Sequence, residues 1–340
     1  MVSLKAVRAH NTSLKALSPN LVAVFVGGTS GIGLSTAREF VRNTQSPHVY
    51  LIGRNSSEAS RIISELQTLN SSSKLSFIQS DTSLLKNVDV ACEEIKSKES
   101  KVNLLFMTIG QMTTQGYNPT SEGLDKKLTL HYYARTRFTT NLLPLLTSAA
   151  QSSDANARLS RVVSVLDPKL GRNDIPNFSD LALKNGTFSL KSCATHASAM
   201  ISFSHEHLAA AYPGTAFVHS YPSGVPTNIS RDLGPVLKGV FAVAKPLLNH
   251  WMVPLVESGE RHLYASTAPE FAPRNLTKDV EHVARGGDEV SGSGAYVLNW
   301  DDEVLGESKK AEGVRKDGAV DKVWRHTEEV FGKVQSEGKY

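Results

Sequence analysis

Short apolar runs alternate along the chain with longer segments in which apolar residues recur every three or four positions. The runs predict six strands, at residues 21–26, 48–52, 75–80, 102–109, 161–166 and 216–221. The segments between them predict helices at residues 34–43, 57–69, 84–97, 123–148 and 190–211. Continuously apolar strands separated by amphipathic helices are typical of a parallel sheet covered on both faces. The pattern therefore predicts an α/β fold built on a doubly wound parallel sheet, with ligands at the carboxyl ends of the strands.

Several segments fall outside this alternation. Residues 1–20 form an N-terminal extension whose apolar positions could build a short docking helix, and residues 168–189 read as a loop. Residues 228–272 are predicted to be a helical lid over an apolar pocket, with a core helix or a membrane-surface contact as alternatives. Residues 273–340 are predicted to be an appendage with a charged helical end. We therefore expect one domain spanning residues 1–340.

Composition narrows the function further. With 40% hydrophobic residues, 21% charged residues and a net charge of +4, the chain has the composition of a globular protein. Its basic residues form no block, which argues against nucleic-acid binding. Cys92 and Cys193 lie too far apart to suggest a disulfide framework or a metal site, which favours a reducing compartment and a cytoplasmic location. Charged residues and prolines interrupt the longest apolar segment, residues 235–256, so no membrane span is expected.

The first predicted strand ends in a glycine-rich turn that opens a helix. Gly27 permits the tight turn, Gly31 lets a pyrophosphate approach the backbone, and Gly33 lets the helix pack closely on the strand. Thr29 and Ser30 add hydroxyl donors. Such turns also occur for packing reasons alone, but here a strand precedes the turn and a helix follows it. The sequence therefore predicts dinucleotide binding at this helix N-terminus.

The end of the second strand distinguishes between the two common dinucleotides. A carboxylate there would bind the ribose hydroxyl of NAD. The chain instead has Arg54 followed by Asn55, and its first carboxylate is Glu58. A guanidinium pairs well with a ribose 2′-phosphate, so NADP(H) is favoured as the cofactor. The alternative, that Arg54 is an ordinary solvated surface charge, stays open.

These motifs resemble those of the short-chain dehydrogenase/reductase superfamily, in particular its retinol-dehydrogenase-like branch and fungal natural-product enzymes. Asp81 and Thr82 occupy the position where that family caps the adenine. Residues 107–110, which include Thr108, fall where the family has Asn-Asn-Ala-Gly and keep only the glycine, Gly110. Residues 222–227 are similar to its Pro-Gly-x-x-x-Thr motif. The predicted cofactor-binding residues are Gly27, Thr29, Ser30, Gly31, Ile32, Gly33, Arg54, Asn55, Asp81, Thr82, Thr108, Gly110, Pro222, Val225 and Thr227.

The resemblance implies a catalytic tyrosine with a lysine four residues later, together with a serine and an asparagine. None of the nine tyrosines has a lysine four positions later. The tyrosine position falls at Ala194 and the lysine position at Ser198, and a slip of one residue gives Cys193 or Thr195 and Ala197 or Ala199 instead. The serine position holds Asp167, and the asparagine position holds His131, or Tyr132 if the helix register shifts. The residues at or beside these positions that could still carry a proton are His131, Asp167, Thr195 and His196, although His196 is expected to point away. A structural role remains the alternative for each of them.

Three functions are consistent with this pattern. The first is an NADP(H)-dependent oxidoreductase that acts on a small apolar, secondary-metabolite-like carbonyl or alcohol through a substitute proton donor. The second is a redox-neutral enzyme that uses the same pocket for cyclisation, isomerisation or dehydration. The third is a non-catalytic NADP-binding protein. A homodimer through the predicted helices 123–148 and 190–211 is implied only by the family resemblance, and no metal is expected.

Overall fold

A seven-stranded parallel sheet forms the centre of the protein. The structure, a computed structural model, describes residues 1–227, 252–306 and 308–340. The strands are β1 (Val22–Val26), β2 (His48–Gly53), β3 (Lys74–Gln79), β4 (Leu104–Met107), β5 (Arg161–Val165), β6 (Ala216–Ser220) and β7 (Ala295–Leu298). Their order is β3-β2-β1-β4-β5-β6-β7, and every neighbouring pair is parallel. Strands β2 and β3 extend the sheet to one side of β1 and the last four strands extend it to the other side, so the topological switch point lies between β1 and β4. The doubly wound Rossmann-type sheet is therefore confirmed.

Helices cover both faces of this sheet. The described helices are α1 (Leu4–Ser13), α2 (Gly31–Asn43), α3 (Ser56–Leu69), α4 (Leu85–Lys96), α5 (Lys126–Leu128), α6 (Ala134–Ala150), α7 (Pro168–Asn173), α8 (Leu190–Ala211), α9 (Leu255–Thr267), α10 (Lys309–Lys316) and α11 (Ala319–Glu337). A π-helical turn, Thr129–Tyr133, joins α5 to α6. The single helix predicted at residues 123–148 is therefore interrupted, and a helix, α7, begins inside the segment predicted to be a loop.

Alternation along the strands explains why both faces are apolar. Val22, Val24 and Val26 of β1 belong to one buried cluster, whereas Ala23 and Phe25 belong to the other. The first cluster includes residues of α4, α6, α8 and α11, and the second includes residues of α2, α3 and α9. Because neither face of β1 is left to solvent, its sequence is a continuous apolar run.

The C-terminal segment is part of this core, which corrects the expectation of an appendage over residues 273–340. The four buried residues of β7 pair in parallel with β6 and extend the sheet. Val323, Val330 and Phe331 of α11 join the cluster under α6 and α8. A short apolar strand and an amphipathic helix bury their apolar positions more favourably against the domain than in isolation.

The N-terminal extension and the predicted lid also pack on the domain. Helix α1 forms as predicted and lies on α9, where Asn11 Nδ2 donates to Glu260 O at 2.8 Å. Of the predicted lid, residues 228–251 lie outside the described residues, whereas α9 packs on α2 through a 2.8 Å hydrogen bond from Ser35 Oγ to Leu255 O. This half of the segment is thus a core helix. No helix in the described ranges is long and apolar enough to cross a membrane.

Candidate active site

The glycine turn after β1 has the backbone that the sequence predicts. Gly27 and Gly31 have φ angles of 87° and 55°, in the left-handed region where a side chain is strained. A methyl group on Gly33 would collide with the carbonyl oxygen of Gly27. Ser30, the N-cap of α2, makes no side-chain capping hydrogen bond, and the first turn of α2 carries no acidic side chain. The first N–H groups of α2 are therefore free of a side-chain cap and are suited to an anion.

Two other segments line this turn. A methyl group on Gly31 would lie 3.1 Å from Thr227 Cγ2, so the motif after β6 closes over the turn after β1. On the side of β4, the Thr108 N–H donates to Val26 O at 2.9 Å, and Thr108 Oγ1 donates to Gly27 O at 3.3 Å. The structure thus brings three predicted cofactor-binding segments together at the carboxyl ends of β1, β4 and β6.

Arg54 lies immediately after β2 and is exposed. Its guanidinium makes no hydrogen bond or ion pair with any residue in the described ranges. Glu58, the nearest carboxylate along the chain, is held 2.9 Å from Arg61 on its own helix. The positive charge of Arg54 therefore lies at this end of the sheet, with no carboxylate directly after β2 in the chain.

The neighbouring predicted residues have local structural partners. Asn55 is the N-cap of α3, and its Oδ1 accepts the Ser57 N–H at 3.1 Å. Asp81 accepts the Ser83 N–H at 3.1 Å, and Thr82 is buried. Burial raises the pKa of Asp81, but the Ser83 hydrogen bonds and the charges of Lys126 and Arg54 outweigh this and bring the pKa below its usual value. A carboxylate thus faces Arg54 across the ends of β2 and β3.

His131 lies in the π-helical turn and supports the loop after β4. Its Nε2 accepts the Gln111 N–H at 3.2 Å, and a methyl group on Gly110 would lie 2.8 Å from the same atom. An accepting Nε2 leaves the ring proton on Nδ1. Burial, followed by the positive charges of Arg135 and Lys127, lowers the pKa of His131 to about 3. His131 is therefore a neutral ring at physiological pH, held against the backbone of this loop.

Asp167 lies at the carboxyl end of β5 as the N-cap of α7. Its Oδ1 accepts the Lys169 N–H at 2.9 Å, and burial raises the pKa of its carboxyl group. Helix α7 then rests on α8, where the Gly171 N–H donates to Ser198 Oγ at 3.0 Å. A methyl group on Gly171 would collide with the backbone of Ala199. Because Ser198 and Ala199 are small, α7 packs directly on α8. A long side chain at position 198 would need the space that α7 occupies.

The remaining two catalytic candidates lie on the same helix, α8. Thr195 is buried. His196 is also buried, its Nε2 accepts the Asn177 N–H at 2.8 Å, and its Nδ1 lies 3.1 Å from Leu181 O. Both nitrogens of His196 thus hold the backbone of the loop between α7 and α8, and burial lowers the pKa of the ring. His131, His196 and Asp167 thus all have structural partners, and Asp167 is the one that lies just after the end of a strand.

Arg135 is a charged residue that sequence reasoning missed. Its guanidinium is buried and donates to backbone carbonyl oxygens only: to Val165 at 3.0 Å, to Met107 at 3.3 Å, and also to Ile109 and Leu130. Burial lowers its pKa to about 9. Among the described residues no carboxylate pairs with it, so a positive charge lies beneath the ends of β4 and β5. An arginine in a helical pattern usually predicts a surface position, so nothing in the sequence indicated this burial.

Tyr221 was also missed, because the resemblance places the family's tyrosine on α8. It follows β6 directly, and the Lys169 Nζ lies 4.1 Å from the centroid of its ring. Its position at the end of a predicted strand, before Pro222, was the available signal. In the described ranges no group of three or more His, Cys, Asp or Glu side chains is arranged to hold a metal ion.

Comparison with known proteins gives consistent matches. A family model described as short chain dehydrogenase matches residues 21–156. An oxidoreductase from Emericella nidulans is 41% identical and covers 97% of this chain and 98% of its own length. The oxidoreductase andH from Emericella variicolor is 36% identical and covers 97% of each chain.

Solved structures share the fold. An uncharacterised protein from Mycobacterium paratuberculosis covers 93% of this chain and 96% of its own, with a TM-score of 0.59 and 16% identity. The NADPH-bound carbonyl reductase from chicken fatty liver covers 85% of this chain and 100% of its own, with a TM-score of 0.53 and 15% identity. At these identities the likeness extends to the fold alone.

Proposed function

Because the chain belongs to the short-chain dehydrogenase/reductase superfamily, we propose that it is an NADP(H)-dependent oxidoreductase of a small apolar carbonyl or alcohol. The observation that carries this proposal is the glycine turn at the start of α2. Its left-handed Gly31 lies under Thr227, and the first turn of α2 carries no side-chain cap and no acidic side chain. This arrangement fits a pyrophosphate, which needs backbone N–H donors at close range.

The choice of NADP(H) over NAD(H) is supported by charge at the end of β2. A ribose 2′-phosphate there would meet the exposed Arg54, while Glu58 is already paired with Arg61. A 2′-hydroxyl would find no carboxylate acceptor directly after β2. Asp81 lies across from Arg54 after β3 and would face the adenine side. The charge distribution thus favours the phosphorylated dinucleotide.

Exposed apolar side chains that follow β4 and β5 support an apolar substrate. Met112 and Tyr117 follow β4, while Leu170 and Ile175 follow β5, and all four are exposed large hydrophobic residues. The Tyr117 ring contacts Phe188 edge-on at a centroid distance of 5.7 Å, which links the loop after β4 to the loop before α8. Exposed apolar groups at the ligand end of a sheet are typical of a binding surface for an apolar molecule.

When bound, the nicotinamide would supply or accept a hydride, so the protein's own residues need only position the substrate and move a proton. His131 would hold the loop after β4 in place as a neutral ring. Asp167 would contribute a partly buried carboxyl group at the reacting end of the site. Arg135 would place a fixed positive charge beneath the strand ends, which favours an oxyanion formed above it.

A redox-neutral reaction is the second candidate, and the packing of α7 favours it. Ser198 accepts a hydrogen bond from Gly171, and Ala194 and Ser198 are the positions where the resemblance places the acid and its lysine. A site without that pair would still bind the dinucleotide as a structural element. The same pocket could then catalyse cyclisation, isomerisation or dehydration through Asp167 and His131.

The test is a product analysis with matched cofactor conditions. The protein is incubated with a panel of apolar ketones, aldehydes and alcohols and with fungal metabolite extracts, in the presence of NADPH, NADP⁺ or neither. A mass change of two hydrogens that scales with cofactor consumed supports the oxidoreductase. A product of equal mass, or one lacking a water molecule, formed without cofactor consumption supports the redox-neutral candidate and contradicts the first proposal.

A further inference from the structure

The carboxyl ends of β5 and β6 lie side by side and bring three polar residues into one corner. The Leu166 N–H donates to Ser220 O at 3.1 Å, which continues the pairing of β5 and β6 beyond their last residues. Asp167 and Tyr221 are the next residues of the two chains. This corner is continuous with Pro222 and with the motif that reaches Thr227, so it lies at the ligand end of the sheet.

Lys169 lies in the first turn of α7, and its side chain lies over the ring of Tyr221. The Lys169 N–H donates to Asp167 Oδ1 at 2.9 Å, which fixes the turn from which the Lys169 side chain extends. Its Nζ lies 4.1 Å from the centroid of the Tyr221 ring. An ammonium at this distance attracts the negative face of the ring and attracts a phenolate more strongly.

The surroundings keep the Tyr221 phenol protonated in the resting protein. Burial, followed by the charge of Asp167, raises its pKa, while a hydrogen bond with the Ser223 side chain acts in the opposite direction. Tyr221 is only partly buried, so its hydroxyl is not confined to the core. A protonated phenol beside an ammonium is suited to give up a proton to a strong base such as an alkoxide.

We propose that Tyr221 is the proton donor of this site and that Lys169 is a positioning residue that stabilises its phenolate. The inference rests on the proposed function. The family has its tyrosine and lysine on one helix, whereas here Lys169 follows β5 and Tyr221 follows the neighbouring strand β6. Asp167 then acts as the residue that holds Lys169 in place.

In the direction of reduction, the carbonyl group gains a hydride at its carbon and a proton at its oxygen. With the dihydronicotinamide cofactor bound, the carbonyl carbon would receive a hydride, and with it two electrons, as the π bond of the carbonyl breaks. The carbonyl oxygen takes the proton from Tyr221 Oη, which leaves a phenolate beside the Lys169 ammonium. The phenolate then recovers a proton from water, and oxidation of the alcohol is the reverse of these steps.

The experiment combines turnover with a direct titration of the phenol. Tyr221→Phe should lower turnover by at least about 100-fold while cofactor affinity stays within about twofold, because general acid catalysis is worth roughly 100- to 10,000-fold. The difference in tyrosinate absorbance between the parent protein and Tyr221→Phe reports the Tyr221 titration. Lys169→Met should move that titration upward by about one pH unit, and Lys169→Arg should restore it.

Two matched controls separate this role from general damage. Tyr212→Phe removes an exposed phenol after α8, and Lys184→Met removes an ammonium that lies 4.7 Å from the ring centroid of Tyr340. Neither should change turnover or the Tyr221 titration. Thermal unfolding of each variant verifies that the fold is retained.

The outcomes distinguish this inference from the proposed function. Full turnover in Tyr221→Phe, or a Tyr221 titration that is unchanged in Lys169→Met, overturns the inference and leaves the oxidoreductase standing. If the parent protein consumes no cofactor with any compound, the oxidoreductase proposal fails. In that case the rate of the redox-neutral reaction is compared between the parent and Tyr221→Phe. A large loss supports Tyr221 as the proton donor, and an unchanged rate overturns the inference.

Discussion

Thr227 lies directly over Gly31, and a methyl group on Gly31 would be 3.1 Å from Thr227 Cγ2. The two residues are nearly two hundred positions apart in the chain, yet their approach closes the turn that we propose holds the pyrophosphate. A side chain at position 31 would both push against Thr227 and strain a backbone with φ of 55°.

Gly31→Ala should therefore weaken NADP(H) binding by at least about tenfold, since roughly 1.4 kcal/mol of strain or lost contact corresponds to that factor. Calorimetric titration measures it. Gly313→Ala is the control, because Gly313 lies in α10 with no atom within 4 Å of an added methyl group. Unchanged affinity in Gly31→Ala would contradict the assignment of this turn to the cofactor.

Arg54→Ala should lower affinity for NADP(H) by about tenfold to 100-fold, because a charge-assisted contact with the 2′-phosphate is worth roughly 1.5–3 kcal/mol. Affinity for NAD(H) should hardly change. Parallel titrations of both dinucleotides measure the ratio, with Arg325→Ala, an exposed arginine of α11, as the control. A parent protein that binds both dinucleotides equally would refute the preference.

His131→Ala should lower turnover by at least about tenfold while cofactor affinity stays within about twofold, because it removes the acceptor of the Gln111 N–H near the reacting end. His131→Asn keeps an acceptor and should recover part of the rate. Burial and two nearby positive charges hold the pKa of His131 at about 3. The pH–rate profile of the parent should therefore show no transition from this ring between pH 5 and 8, roughly the range in which an ordinary histidine titrates.

Asp167→Asn tests the second residue proposed at the reacting end of the site, again by comparing turnover with cofactor affinity. The amide keeps an oxygen acceptor for the Lys169 N–H but removes the negative charge. We expect turnover to fall by about tenfold or more with cofactor affinity unchanged, since the residue lies away from the phosphate turn. If Asp167→Asn and His131→Ala both keep full activity, the reacting groups lie elsewhere in the pocket.

Stability should fall as the pH is lowered below about 6.5, the pKa of an unperturbed histidine. Burial lowers the pKa of His131 and His205 to about 3 and that of His262 to about 4. Below the pKa of an unperturbed histidine, the unfolded chain takes up protons that the folded protein excludes. Each ring therefore lowers the free energy of unfolding by about 1.4 kcal/mol per pH unit, until the pH reaches the pKa of that ring in the folded protein. Denaturant unfolding at pH 7.5, 6 and 5, roughly spanning this window, measures the slope.

A variant separates the histidines from other acid-sensitive groups. His205→Phe places an apolar ring beside Phe217 and should make the slope shallower by one proton. His282→Gln, at an exposed position, should leave it unchanged. A slope that is identical in the parent and in His205→Phe would show that burial of this ring does not drive acid sensitivity.

The chain should be a monomer in solution, because α11 packs on α6 and α8, the helices that the family resemblance assigned to a dimer. Trp324 of α11 stacks on His207 of α8 at a centroid distance of 4.4 Å, and Arg137 of α6 lies 5.1 Å from the ring centroid of Phe331. Light scattering during size-exclusion chromatography measures the mass. A stable dimer would contradict this prediction.

Much of the fold was predictable because it depends on side-chain patterns. The apolar runs located six of the seven strands, and α8 has the predicted bounds, Leu190–Ala211. The strand β7 was missed because it has only four residues and follows a glycine-rich segment. Helix α7 was missed because Asn, Asp, Gly and Pro usually indicate a loop, whereas here packing of Gly171 on α8 stabilises a short helix.

The site was predictable where backbone geometry demands a residue type. Glycine at positions 27, 31 and 33 implies a turn and a close approach, and the structure has both. The residues that we propose carry the proton were harder to predict from the sequence, because their roles depend on which strand ends are neighbours. The contact of Lys169 with Tyr221 joins residues more than fifty positions apart, and no local pattern indicates it.

The late position of β7 and α11 in the chain has a consequence for biosynthesis. The outer edge of β6 is unpaired until residues 295–298 have been made, and the apolar surface between α6 and α8 is uncovered until residues 319–337 have been made. Exposed strand edges and apolar surface make partly synthesised chains prone to association. Residues 1–221 therefore hold every predicted strand but not a finished sheet, and the partly synthesised chain must avoid aggregation until β7 and α11 have been made.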